Sequence, residues 1–170
     1  MSSANATPTK LMFADIPSEF ASTRRVLERV PDGNNDWHPH EKSMSLGRLA
    51  THLAELPRFG TMILTTDELD WAVQPYQPTV SETTAERLAL FDDLTAKMQD
   101  ELAKADWEIL AKEWTMRRGD QIFAKGPKGM LIRSAGISHM AHHRAQLGVY
   151  LRLIGVPVPR VYGPSADEPV

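Results

Sequence analysis

In "TTAERLALFDDLTAKMQDELAKA" all the large apolar residues but Leu90 fall at Leu88, Phe91, Leu94, Met98 and Leu102. Steps of three and four place all five on one face of an α-helix, and no strand pairing would gather them. The stripe predicts a helix from Ser81 to near Ala105, and Glu86, three residues after Thr83, completes a capping-box pattern. Such a helix buries its stripe only against other helices or a sheet.

Three further stretches share the period. "FADIPSEFASTRRVLERVP" carries Ile16, Phe20, Thr23, Leu27 and Val30, and Pro31 ends it. A second helix opens at Ser43 or Ser45, either of which can cap it. It runs to about Thr66 through Leu46, Leu49, Leu53, Leu56, Phe59 and Ile63. Pro57 lies inside it and predicts a kink, because proline removes one backbone donor. The last pattern runs from Met130 to Ile154 and stops at Gly155. Residues 106–130 are less regular. There "RRGDQ", between Trp114-Thr115-Met116 and Ile122-Phe123, suggests a short hairpin or irregular crossover.

Four amphipathic helices with longer crossovers predict an all-α fold, a four-helix bundle over residues 11–155. Residues 1–10 are small and polar and are expected to be disordered. The proline-rich residues 156–170 are expected to form an extended tail. No strand–helix alternation and no glycine-rich phosphate loop point to an α/β nucleotide-binding sheet.

With no cysteine in 170 residues, disulfides, iron–sulfur clusters and thiolate zinc sites are excluded. A net charge of −3 gives no general attraction to nucleic acid or anionic membrane. Arg117, Arg118, Lys125 and Lys128 are the nearest thing to a basic patch, read as a solvated loop. The amino-terminal residues lack an apolar signal region, and no apolar run reaches membrane-span length. A cytoplasmic protein is expected.

Three of six histidines crowd into "SHMAHHRAQLGVYLR". With His139 at zero on a helical wheel, His143 falls at about 40° and His142 at about −60°. Ile132, Gly136, Leu147, Tyr150 and Ile154 share the arc of His139 and His143, so these two imidazoles belong to the buried face, one turn apart. His142 sits at its flank. Two imidazoles at i and i+4 can converge on one metal ion. His52, between Leu49 and Leu56 on the second stripe, supplies a third. Three histidines leave a coordination position open, as catalytic sites do. The competing interpretation is three packing histidines, but buried imidazoles without a cation each need partners for two ring nitrogens. His38 and His40 flank Pro39 in a turn-rich loop and read as exposed.

No side chain is assigned a catalytic role, although Gln146 and Glu55 are candidates. Gln146, at about −20°, either orients a ligand or bonds across helices. Glu55, three residues after His52, either supports the site or faces solvent, the simpler reading. Arg144, at about 140°, points away and is expected to pair with a carboxylate or the tail. Trp37, Trp71 and Trp114 either wall a pocket or anchor packing, and packing is preferred.

"SHMAHHRAQLGVYLRLIGVPVPRVYGPSADE", together with "DWHPHEKSMSLGRLATHLAELP", resembles the DinB-like superfamily over nearly the whole chain. Ala145 departs from the glycine common in that family's "HHRGQ", leaving the histidines intact. The resemblance implies an up-up-down-down four-helix bundle, usually a homodimer, with a divalent metal on three histidines, here His52, His139 and His143. Zinc or nickel is expected first, with iron or manganese as alternatives. Relatives include metal-dependent hydrolases and transferases or isomerases using mycothiol or bacillithiol, and some members were first noted as damage-inducible. The expected activity is activation of water or a small thiol toward a small-molecule substrate. The alternative is a non-catalytic metal-binding or stress-response module.

Overall fold

The computed structural model describes residues 8–169. In chain order the elements are α1 (Pro8–Met12), α2 (Ile16–Leu27), α3 (Leu46–Glu55), α4 (Pro57–Thr65), β1 (Glu68–Asp70), α5 (Thr84–Lys104), α6 (Trp107–Ala111), β2 (Glu113–Arg118), β3 (Gln121–Pro127), α7 (Lys128–Leu131), a π-helical segment (Ile132–Ser138) and α8 (His139–Leu153). Of the segment expected to be disordered, residues 1–7 lie outside the described residues, and residues 8–12 form α1.

The helix ends follow local chemistry. Ser45 Oγ accepts from the Arg48 N–H at 3.3 Å and caps α3. Thr83 and Glu86 form the capping box of α5. Leu56 keeps helical angles between α3 and α4, so Pro57 interrupts one continuous column rather than ending it. At the far end of α8, Gly155 adopts φ +77°, its N–H reaches Arg152 O, and the Val156 N–H reaches Leu151 O. That pair of bonds is a Schellman stop, and it needs a residue tolerant of the left-handed region.

One core unites the helices. Phe20 and Leu27 from α2, Leu49 and Leu53 from α3, Ile63 from α4, Phe91 and Met98 from α5, and Leu147 and Leu151 from α8 are all buried in it.

The expectation of an all-α bundle is corrected by a sheet. β1 pairs in parallel with β2, and β2 pairs antiparallel with β3. Gly119, at φ +57°, turns the β2–β3 hairpin. The hairpin was legible as a turn between two β-prone stretches. β1 was not: three residues are too few to display alternation, and its partner is more than forty residues away. Trp114 joins sheet to helices, packing in the core while its Nε1–H donates to Thr66 Oγ1 at 3.0 Å. Lys128 is also corrected. It is buried, not part of a solvated basic loop, and its ammonium donates to Leu64 O and Thr66 O at the end of α4. Arg117 pairs with Glu68 and Asp70, and Lys125 with Glu113. The basic patch is thereby largely neutralised.

The tail runs without regular structure after Gly155 and is fastened to α2 and α8. Asp167 pairs with Arg152, and Glu168 with Arg29. Arg144, 2% exposed, donates to Glu19 Oε2 at 2.8 Å, to Thr23 Oγ1 and to the Tyr162 hydroxyl. Its guanidinium lies 4.9 Å from the Tyr162 ring centroid. Both expected partners of Arg144, a carboxylate and the tail, are therefore found together. No helix among the described residues is long and apolar enough to cross a membrane.

Removing one member of a buried ion pair strands the other's charge. Arg144→Met is expected to lower unfolding free energy by about 3–5 kcal/mol. Adding Glu19→Gln to that variant is expected to restore part of the loss, a coupling that urea denaturation of the single and double variants measures.

Candidate metal centre

His52 comes from α3, His139 and His143 from the first turns of α8. The segment before α8 is π-helical, with i→i+5 bonding that resets the helical register before the histidines. The wheel drawn from His139 holds for the pair, which lies beyond this segment, but its α-helical step does not apply to Ile132 and Gly136, which lie within it. Ring centroids are 4.6 Å apart for His139 and His143, 4.7 Å for His52 and His143, and 5.3 Å for His52 and His139. One ring nitrogen from each lies within 4.8 Å of the other two. The three residues singled out from sequence are therefore brought together. His142 lies on the exposed flank, and His38 and His40 are exposed in the loop before α3.

The outer nitrogens explain the orientation. His143 Nδ1 lies 2.7 Å from Gln146 Oε1, an amide oxygen that only accepts. His143 therefore carries its proton on Nδ1 and turns the Nε2 lone pair inward. His52 Nδ1 lies 3.2 Å from Glu55 Oε1, which fixes the same tautomer. Arg48 Nη2 approaches that nitrogen at 3.4 Å, but a protonated Nδ1 cannot accept, so this approach is packing. The His139 ring is held by the backbone of Ala135. His139 Nε2 and His143 Nε2 face each other at 2.8 Å. Two lone pairs at that distance repel unless a cation or a proton lies between them. That contact is shorter than the roughly 3.3 Å between two nitrogens on one tetrahedral zinc ion, and the His52 nitrogen lies within 4.8 Å of both. This three-histidine group can hold a metal ion.

Glu55 overturns the simpler sequence reading. It is 2% exposed rather than solvent-facing. The wheel angle alone misplaced it, because residues 71–83 fold back over that flank of α3. Its Oε1 accepts from Arg48, from His52 and from the Tyr76 hydroxyl, and its Oε2 from the Thr79 N–H. Burial pushes the Glu55 carboxyl up, but the bonds from His52, Tyr76, Arg48 and Thr79 outweigh it and hold the group well below the usual carboxylate range. Burial and the bond to Glu55 push the Tyr76 hydroxyl up to about 12. Tyr76 had no signal in the sequence beyond being an aromatic between two prolines. Of the tryptophans, Trp114 anchors packing, Trp37 stacks edge-on against Tyr150, and Trp71 stands beside the hairpin.

Burial pushes the His143 imidazole down to about 4, with the neighbouring imidazoles adding to the effect. Burial and His52 also lower His139. An unfolded imidazole titrates near 6.5. Below that pH the unfolded chain binds protons that the folded chain refuses, so folding weakens from about pH 6.5 down to about pH 4. Melting temperatures of chelator-treated protein are expected to fall across this window. His143→Gln is expected to flatten part of the slope.

The DinB family model matches residues 1–169. The chain is 27% identical over 154 residues to YrdA of Bacillus subtilis, described as an uncharacterised protein, covering 88% of this chain and 85% of that one. Among solved structures it resembles the DinB-like protein YjoA of Bacillus subtilis, with a TM-score of 0.66 at 21% identity, covering 89% of this chain and 99% of YjoA. A DinB-like protein from Bacillus cereus gives a TM-score of 0.65 at 21% identity over 89% of this chain and 95% of the other. These structural likenesses show a shared fold. With a family model spanning the sequence from the first residue into the tail, the chain belongs to the DinB family.

Proposed function

We propose that His52, His139 and His143 hold one divalent metal ion, zinc or nickel first, and that the protein uses it to act on a small molecule by hydrolysis or by transfer of a small thiol. The observation that carries this reading is the convergence of the three rings, with the outer nitrogens of His143 and His52 tied to Gln146 and Glu55. When bound, such an ion supplies Lewis acidity that brings the deprotonation of water or a thiol toward neutral pH. The chain's own residues do the rest. Glu55 holds His52 in the ligating tautomer, and Arg48, Tyr76 and Thr79 hold Glu55. Gln146 does the same for His143 from the next turn of α8.

No fourth histidine, aspartate or glutamate joins the group among the described residues. Glu55 is committed to its four hydrogen-bond donors. A donor set of three neutral imidazoles leaves room for an exogenous ligand, which favours a reactive site over a closed structural one.

Untagged protein is expected to carry about one divalent ion per chain, measured by elemental analysis, and His139→Ala to lose it. Titrating zinc or nickel into chelator-treated protein to 100 times its dissociation constant is expected to add about 2.7 kcal/mol of stability. Metal content unaffected by His139→Ala would contradict the assignment. Glu55→Gln is expected to weaken metal binding by about 10–100-fold, as loss of a ligand-orienting carboxylate does, read by competition with a chromogenic chelator.

A further inference from the structure

The connection between α4 and α5 does not simply pass over the surface. Leu69 of β1 and then Trp71, Gln74 and Tyr76 close with α4 around a cavity of about 220 Å³. Phe59 and Met62 of α4 give it an apolar side, and Trp71 stands among its aromatic walls. Glu55 lines it too. The carboxylate that orients His52 is thus the partition between this cavity and the three histidines.

Arg58 supplies the cavity's charge. Its one hydrogen bond among the described residues is a 3.4 Å contact from Nη2 to Thr79 Oγ1, and no carboxylate pairs with it there. Glu55 does not pair with it: the Glu55 carboxylate accepts from Arg48, His52, Tyr76 and Thr79 instead. Its charge is matched by Arg48, so it does not bar a second anion. A guanidinium is a planar fork suited to a carboxylate, and a fork among aromatic walls suits an acid with an apolar body. The volume lies below the range of drug-sized pockets, which limits the guest to about one ring with a short side chain. The sheet builds the wall: the Trp71 N–H donates to Arg117 O at 2.9 Å, and its ring lies 5.3 Å from that of Phe123.

We infer that this cavity is a binding subsite for a small aryl- or alkyl-substituted carboxylate, with the carboxylate on Arg58 and the apolar body against Phe59, Met62 and Trp71. As a substrate subsite it rests on the metal-dependent reading above, but the binding itself does not.

Calorimetric titration of the full chain, zinc-loaded and chelator-treated, tests it with 3-phenylpropionate, its neutral amide and 3-phenylpropylamine. The acid is expected to bind in both metal states, the amide about tenfold more weakly, and the amine not at all. Arg58→Gln is expected to reduce acid affinity about tenfold and leave the amide unchanged, with Arg58→Lys intermediate. Trp71→Ala is expected to weaken acid and amide together. Equal binding of acid and amide, no binding of the acid at millimolar concentration, or an unchanged acid affinity in Arg58→Gln overturns the subsite. Acid binding that vanishes on chelation yet ignores Arg58→Gln places the carboxylate on the metal, so the subsite fails and the metal reading stands. Acid binding that needs Arg58 in a protein that takes up no metal has the opposite meaning.

Discussion

Three imidazoles aimed at one point can share that point only if each has somewhere else to put its proton. The outward acceptors are therefore the condition on which the site depends. Gln146 and the backbone of Ala135 meet that condition locally, within a turn of their own histidines. His52 is different. Its acceptor, Glu55, is a buried carboxylate, and a buried carboxylate needs donors of its own. Those donors come from Arg48 on the same helix and from Tyr76 and Thr79 on the connection that folds back over α3. A local requirement at one ring nitrogen thus reaches a segment more than twenty residues away.

The parts governed by short-range periodicity were legible. The stripe of α5, its capping box, the Pro57 interruption and the stop at Gly155 each follow from a few neighbouring residues. The convergence of His52, His139 and His143 was legible for the same reason: each sits on a buried face that a wheel identifies. Arg144 was readable as a residue turned away from that face, and it meets Glu19 and Tyr162 on the other side.

What the sequence concealed depends on contacts between distant segments. β1 has three residues and finds its partner across the whole of α5. The wheel put Glu55 at the flank of α3, which would be solvent if nothing covered it. The covering segment is a proline-containing connection with no periodicity, so neither the burial of Glu55 nor the role of Tyr76 could be read from local pattern. Lys128 looked like loop charge for the same reason: the carbonyls it bonds, of Leu64 and Thr66, are more than sixty residues upstream.

The parallel pairing of β1 with β2 closes a loop of more than forty residues through α5 and α6. The histidine cluster closes a longer one, from His52 on α3 to His139 on α8. Loop-closure entropy rises only slowly with length, so the two closures cost the unfolded chain similar amounts. The sheet and the three histidines therefore act as two nested clasps on one stretch of chain, with the segment carrying Tyr76 and Trp71 inside both.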